Sequence, residues 1–204
     1  MTTGWSAEVE RICDATIIER SRHEPDRFAD LYDRHAEEIH RYVTRRLGRE
    51  TADDITAETF LAAFRRRDRY DLTRDDARPW LYGMATNLIG KHRRAEVRFF
   101  RAIARTGVDP AIESIAEEVT DRVGAQSIRR QLADALARLN AGQRDVLLLV
   151  AAGGLDQEQV AAALGVAIGT VHSRLHRARK KMREALGGVN PTDPAQKEGN
   201  QWTN

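Results

Sequence analysis

Apolar residues recur every three to four positions along most of the chain, and clusters of glycine, proline and polar residues cut this pattern into segments. That period belongs to helices that bury one face. In residues 1–25, Trp5, Val9, Ile12 and Cys13 predict a short helix ending before Pro25. From Asp26, the residues Phe28, Leu31, Tyr32, His35, Ile39, Tyr42, Val43 and Leu47 predict a helix of about six turns, closed by Gly48. A third segment starts at Thr51, with Asp53 and Asp54 in its first turn, where the helix dipole favours acids, and Ile55, Thr59, Phe60, Ala63 and Phe64 on its buried side. After the polar loop 71–77, Pro79 fits the first turn of a helix with Trp80, Leu81, Met84, Ala85, Leu88 and Ile89 inward. Ile128, Leu132, Leu136 and Leu139 mark a further helix, and Val146 through Val150 a nearly all-apolar one.

The most informative pattern is at 155–183. Asp156 is a good N-cap with Gln159 placed to complete a capping box, and Gly165 is the natural left-handed residue past the end of that helix. Thr170 can cap a second helix with Val171, Leu175, Ala178 and Met182 as its apolar stripe. The other faces carry Arg174, Arg177, Arg179, Lys180, Lys181 and Arg183, with His172 and His176 among them. Two short helices of this kind around a tight turn predict a helix–turn–helix whose second helix can enter a DNA major groove. A solvated basic hairpin is the plainer reading of the same charges.

Composition narrows the classes. The chain has 204 residues, enough for one large domain or two small ones, and its 31% charged content favours small helical domains with much exposed surface. The net charge is only +2, so basic character is local: residues 91–105 and 174–183 are basic, and 108–121 hold no Lys or Arg. A single cysteine, Cys13, excludes a disulfide framework and a cysteine-built zinc site and fits a reducing cytoplasm. The longest apolar run, Val146 to Ala152, is too short to cross a bilayer, which predicts no membrane insertion.

Candidate chemistry is sparse. Asp53, Asp54 and Glu58 share one outer side, but no histidine joins them, so an acidic docking surface is a better reading than a catalytic or metal site. His35 lies on an apolar stripe and His40 on a different face, so they form no metal pair. Trp80 and Tyr82 stand beside Lys91, His92, Arg93 and Arg94, the mixture that stacks unpaired bases and holds phosphates. No nucleophile–base pair or glycine-rich phosphate loop is present, so no enzymatic activity and no cofactor are expected. The domains read as an N-terminal extension at 1–25, a helical domain at 26–97, an acidic linker at 98–125, a second helical domain at 126–186 and a polar tail at 187–204. Roughly 28 extended linker residues could span about 90 Å, so the two domains could sit far apart on a partner.

DDITAETFLAAF at 53–64, the polar loop, and RPWLYGMATNLIGKHRR at 78–94 resemble region 2 of bacterial sigma factors. LNAGQRDVLLLVAAGGLDQEQVAAALGVAIGTVHSRLHRARKKMREAL at 139–186 resembles their region 4. The two joined by a short linker, with no third domain between, resemble the extracytoplasmic-function (ECF) group of the sigma-70 family. The resemblance implies an all-α fold of two small helical domains on a flexible linker. It implies a transcription initiation factor that binds core RNA polymerase through the β′ clamp helices and the β flap and directs it to promoter DNA. Thr170, His172, Ser173, Arg174, His176, Arg177, Lys180 and Lys181 would then face the −35 element as duplex. Trp80, Asn87, Lys91 and Arg94 would face the −10 element as melted single strand. Asp53, Asp54, Glu58 and Phe60 would dock on polymerase. An anti-sigma factor is a common partner in the group. A dimeric helix–turn–helix repressor is the competing reading, but the chain shows no heptad seam and no ligand-domain pattern.

Overall fold

The computed structural model describes residues 12–107 and 122–187, and all regular structure among them is helical. The first half holds α1 (Asp14–Ser21), α2 (Phe28–Leu47), α3 (Arg49–Arg66), α4 (Arg78–Lys91) and α5 (Arg93–Thr106). The second half holds α6 (Arg122–Arg138), α7 (Ala141–Ala151), α8 (Gln157–Leu164) and α9 (Ile168–Ala185). No described helix is long and apolar enough to cross a membrane. Trp5, Val9, the acidic stretch 108–121 and Trp202 lie outside the described residues.

In the first half, α2 packs between α1, α3 and α4. Leu31, Ile39 and Val43 of α2, Ile55 and Ala63 of α3, and Leu81, Ala85 and Ile89 of α4 form its core. Gly48 turns the chain from α2 to α3 at φ 86°, and a side chain there would also meet the Phe99 ring of α5 at 3.1 Å. Only glycine satisfies both demands without strain. In the second half, Val146, Leu149, Val160, Val171, Leu175 and Ala178 close a small core. Capping boxes at Asn140/Gln143 and Asp156/Gln159 start α7 and α8. Gly165 ends α8 in the left-handed region at φ 62°.

Several boundaries differ from the sequence reading. The N-terminal helix lies at Asp14–Ser21 and buries Ala15, Ile17 and Ile18. α3 begins at Arg49 behind Gly48, so Asp53 and Asp54 lie in its second turn and Glu50 is its first-turn acid. α9 begins at Ile168 with Ala167 as N-cap and no side-chain cap. Thr170 is therefore inside the first turn, its N–H bonded to the Ala167 carbonyl, and does not cap. The chain stays helical through Thr106, beyond the expected linker start at 98, because Glu96, Phe100 and Ile103 form a buried stripe among exposed arginines. On α6, Leu136 is buried, whereas Ile128 and Leu132 are exposed and Ala133 and Ala135 take the inward positions.

The two halves pack against each other. α8 lies on α4, and α5 lies on α6. Between them is a buried charge cluster. Arg46 of α2 donates to Glu96 of α5 at 2.6 Å and to Asp145 of α7 at 2.5 Å, and Arg144 of α7 donates to Glu96 at 2.8 Å. Tyr42 accepts a further bond from Arg46 at 2.7 Å. Such charges are tolerated in a core only because each finds a partner.

Candidate nucleic-acid interface

The second helix of the helix–turn–helix divides cleanly. Val171, Leu175, Ala178 and Met182 are buried on α9, which is the stripe read from the sequence. His172, Ser173, His176, Arg177, Lys180 and Lys181 are exposed on the other side. Some of these are tethered. Ser173 donates to the Thr170 carbonyl at 3.1 Å, Lys181 donates to Gln143 at 3.3 Å, and Lys180 lies 3.9 Å from Glu184. Arg174 is half-buried, its guanidinium laid across Gly142 at the start of α7. His176 and Arg177 at the middle of the exposed face are therefore the side chains best placed to enter a groove.

On the first half, a cavity of about 230 Å³ lies between the 71–76 loop and α4. Arg69, Tyr70, Arg74, Asp76, Trp80 and Ala162 are among its lining residues. Trp80 is half-buried with its ring 4.9 Å from Tyr70, so one part is core and another faces the cavity. Tyr82 is not available for stacking: it is 2% exposed and packs edge-on to Tyr42 at 5.0 Å. Asn87, Lys91 and Arg94 are exposed further along the same direction. Asn87 is two helical turns from Trp80, roughly 10 Å along the axis, and does not line the Trp80 cavity. Arg94 instead joins Arg93, Arg98 and Arg101 around a second, open cavity of about 420 Å³. A further groove of about 780 Å³ between α5 and α6 is lined by Arg98, Arg101, Arg105 and Arg130, so the basic surface continues well past Arg94.

Asp53, Asp54 and Glu58 are exposed on α3. Asp53 bonds His40 at 2.9 Å, and Glu58 pairs with Lys91 at 3.2 Å. The acidic patch and the basic strip thus touch at Glu58–Lys91. Phe60 differs from expectation: it is 5% exposed, with its ring 4.9 Å from Tyr32, so it supports the surface from below. The exposed apolar residues on this helix pair are Tyr32 and Leu61. Periodicity hid Tyr32, which falls on the apolar stripe of α2 yet lies at its margin. The described residues hold no His, Cys, Asp and Glu cluster suited to a metal ion.

His35 is a packed histidine. Nε2 bonds Asp14 at 2.8 Å and Nδ1 bonds Glu38 at 2.7 Å, tying α1 to α2. Burial alone would make it harder to protonate, but the two carboxylates outweigh this and raise its pKa to about 9.

Family models for sigma-70 region 2 and sigma-70 region 4 match residues 31–99 and 129–182. The chain is 37% identical over 157 residues to the ECF RNA polymerase sigma factor SigL of Mycobacterium tuberculosis, covering 76% of this chain and 86% of SigL. It superposes on CnrH, solved with the cytosolic domain of CnrY, with a TM-score of 0.61 and 26% identity over 87% of this chain and 99% of that one. It shares the fold of RpoE from Bartonella quintana, solved with the anti-sigma factor NepR, at a TM-score of 0.56 and 22% identity over 80% of this chain and 98% of that one. Two helical halves, a helix with a basic exposed face and these matches give one conclusion: the chain belongs to the ECF group of the sigma-70 family, the transcription initiation factors that direct RNA polymerase to promoters.

Proposed function

We propose that α9 reads the −35 element as duplex while α4 and the 71–76 loop hold the −10 element as melted single strand. The observation that carries this reading is the division of α9: four apolar residues wholly buried, and His172, Ser173, His176 and Arg177 exposed on the opposite side. Arg177 contacts a base edge, where a bidentate arginine–guanine pair is the commonest specific contact. Arg174, Lys180 and Lys181 hold phosphates, with Thr170 beside them, and these position the helix without specifying sequence. Extruding a −10 base costs a few kcal/mol. Stacking on Trp80, hydrogen bonding to Asn87 and phosphate contacts from Lys91 and Arg94 offset that cost.

Asp53, Asp54 and Glu58 dock on the β′ clamp helices of core polymerase, with Phe60 stiffening the surface beneath, and region 4 docks on the β flap. The factor acts in the cytoplasm, where the polymerase is. The RpoE likeness supports an anti-sigma factor as a partner.

Co-elution with bacterial core polymerase on a sizing column, followed by run-off transcription from a promoter library, tests the assignment. New start sites that align to two elements support it. A chain that ignores core polymerase and shifts duplex DNA alone as a dimer overturns it.

A further inference from the structure

The short helix α1 holds the loop before α4 at both of its ends. Asp14, the first residue of α1, takes the far end. Its N–H donates to the Asp75 carbonyl at 3.1 Å, and its carboxylate accepts the Ala77 N–H at 2.9 Å. The same carboxylate accepts from Arg34 at 2.6 Å and bonds His35 Nε2 at 2.8 Å, so an acid only 5% exposed is fully partnered. Arg22, the residue after α1, takes the near end. Its Nη2 lies 3.2–3.3 Å from the carbonyls of Arg67, Asp68 and Tyr70. Arg67 in turn donates to the Ser21 carbonyl at 3.1 Å. Between these polar ends, Ala15, Ile17 and Ile18 anchor α1 in the core. The pinned positions flank two residues of interest. Asp68 and Tyr70 bracket Arg69, Asp75 and Ala77 bracket Asp76, and both Arg69 and Asp76 line the Trp80 cavity.

We propose that α1 is a splint for the base-reading loop, with Asp14 and Arg22 as positioning residues that aim Asp76 and Arg69 at an unpaired −10 base. The proposal rests on the reading above that gives this loop and cavity the −10 element. Of residues 71–77 only Ala77 is buried, so the loop has almost no apolar anchor of its own. Its internal bonds are short-range: Asp71 accepts from Thr73 at 2.7 Å and from Arg74 at 3.3 Å, and Tyr70 Oη donates to the Arg74 carbonyl at 2.6 Å. They shape the turn; the bonds from α1 set where it stands. A second route reinforces them. His35 Nδ1 bonds Glu38 at 2.7 Å, and Glu38 pairs with Arg78, the first residue of α4, at 3.3 Å. A binding site keeps its geometry only when the residues behind it are locked. A loop that is ordered only as the base enters binds every base more weakly. A loop free to shift also re-forms around a wrong base, and discrimination falls.

The test uses the full chain, alone and as holoenzyme with core polymerase. Asp14→Ala frees the far end of the loop and Arg22→Ala the near end. Arg22 is half-buried and outside the apolar anchor, so its truncation leaves that anchor in place. Arg22→Lys keeps a charged donor for the same carbonyls. Hydrogen exchange read by mass spectrometry on the free chain shows the amides of 70–78 exchanging about tenfold or more faster in both alanine variants. Protection in α2, α3 and the rest of α4 stays as in the wild type, and Arg22→Lys stays close to it. The holoenzymes are then titrated on forks built from the promoter found by run-off, with each single-stranded −10 base and each duplex −35 base changed in turn. Discrimination at −10 falls about five- to a hundredfold in the alanine variants, the span expected for one stacked base, while −35 discrimination is unchanged. Unchanged exchange in both alanine variants overturns the splint. Faster exchange with −10 discrimination intact overturns its part in reading, and an equal loss at both elements makes α1 a general stabiliser and overturns the proposal. A wild-type holoenzyme without base preference at −10 overturns the two-element reading and with it the recognition role of α1, while the exchange comparison still decides whether α1 holds the loop.

Discussion

Arg144 of α7 donates to Glu96 of α5 at 2.8 Å, across the two halves of the molecule, with the two side chains 3% and 1% exposed. Glu96 accepts from Arg46 on its other oxygen, and Arg46 also reaches Asp145. One carboxylate, 1% exposed, therefore stands between two guanidiniums. Removing one member of a buried pair leaves the other uncompensated and costs about 3–5 kcal/mol. Glu96→Ala is expected to lower stability by that amount in urea unfolding and to separate the unfolding of the halves. A loss below about 1 kcal/mol would show that the cluster is solvated.

His35 and Asp14 give the α1–α2 contact a defined pH dependence. The folded pKa of His35, about 9, lies above its ordinary 6.5, so its stabilisation is fully present below about 6.5 and is lost as pH rises through 9. Asp14 has the opposite sign. Its burial works against the charged form, but bonds from His35, the Ala77 N–H and Arg34 outweigh this and lower its pKa from 3.8. Its contribution is present above about pH 4 and lost on acidification. The contact is strongest between these limits, and the His35 share is at most about 3 kcal/mol from the size of its shift. Thermal unfolding from pH 6 to 10 is expected to show a decline in the wild type that His35→Gln flattens. Parallel declines would sink the assignment.

Two glycines in the helix–turn–helix are expected to respond oppositely to alanine. Gly165 has φ 62° with open space around its Cβ position, so alanine there meets only backbone strain, about 1 kcal/mol of destabilisation. Gly169 also faces open space but lies inside α9 at an ordinary φ, so alanine stabilises by up to about 1 kcal/mol. Melting temperatures of Gly165→Ala and Gly169→Ala on either side of wild type check the pair. A stabilised Gly165→Ala would mean that α8 does not end in the left-handed region.

Asp156→Ala removes the bond that the Gln159 N–H donates to the Asp156 carboxylate at 2.8 Å and is expected to cost about 1 kcal/mol of stability. Thr170→Ala, by contrast, removes no cap and is expected to change stability by less than about 0.5 kcal/mol. Equal losses in the two variants would restore Thr170 as a cap.

On DNA, Arg177→Ala and Lys180→Ala separate reading from holding. Arg177→Ala is expected to lose about 1–3 kcal/mol of discrimination at one promoter position. Lys180→Ala is expected to weaken binding to all sequences alike and to reduce the slope of log affinity against log salt by about 1. Titrations of core-bound factor on matched and single-mismatch −35 duplexes distinguish them. The opposite assignment would follow if Lys180→Ala changed the preferred base.

Residues 155–183 show how much of such a protein is local. Asp156 and Gln159 cap α8, Gly165 ends it, and Val171, Leu175, Ala178 and Met182 face inward on α9, because caps, left-handed glycines and 3.6-residue stripes act within one or two turns of the chain. His172, His176 and Arg177 were legible as an outward face for the same reason. Thr170 is one of several polar residues near this helix start that are able to cap it, but its N–H already bonds the Ala167 carbonyl, so it lies inside the first turn. Tertiary structure alone decided the rest. Glu96, Arg144 and Arg46 lie among many exposed charges and carry no local mark of burial. They are buried because segments 48 to 50 residues apart converge. Gly83 looks like a weak point in a helix until Ala163 is set against it, 80 residues later. Such contacts are set by how whole helices stack, which short-range periodicity does not encode.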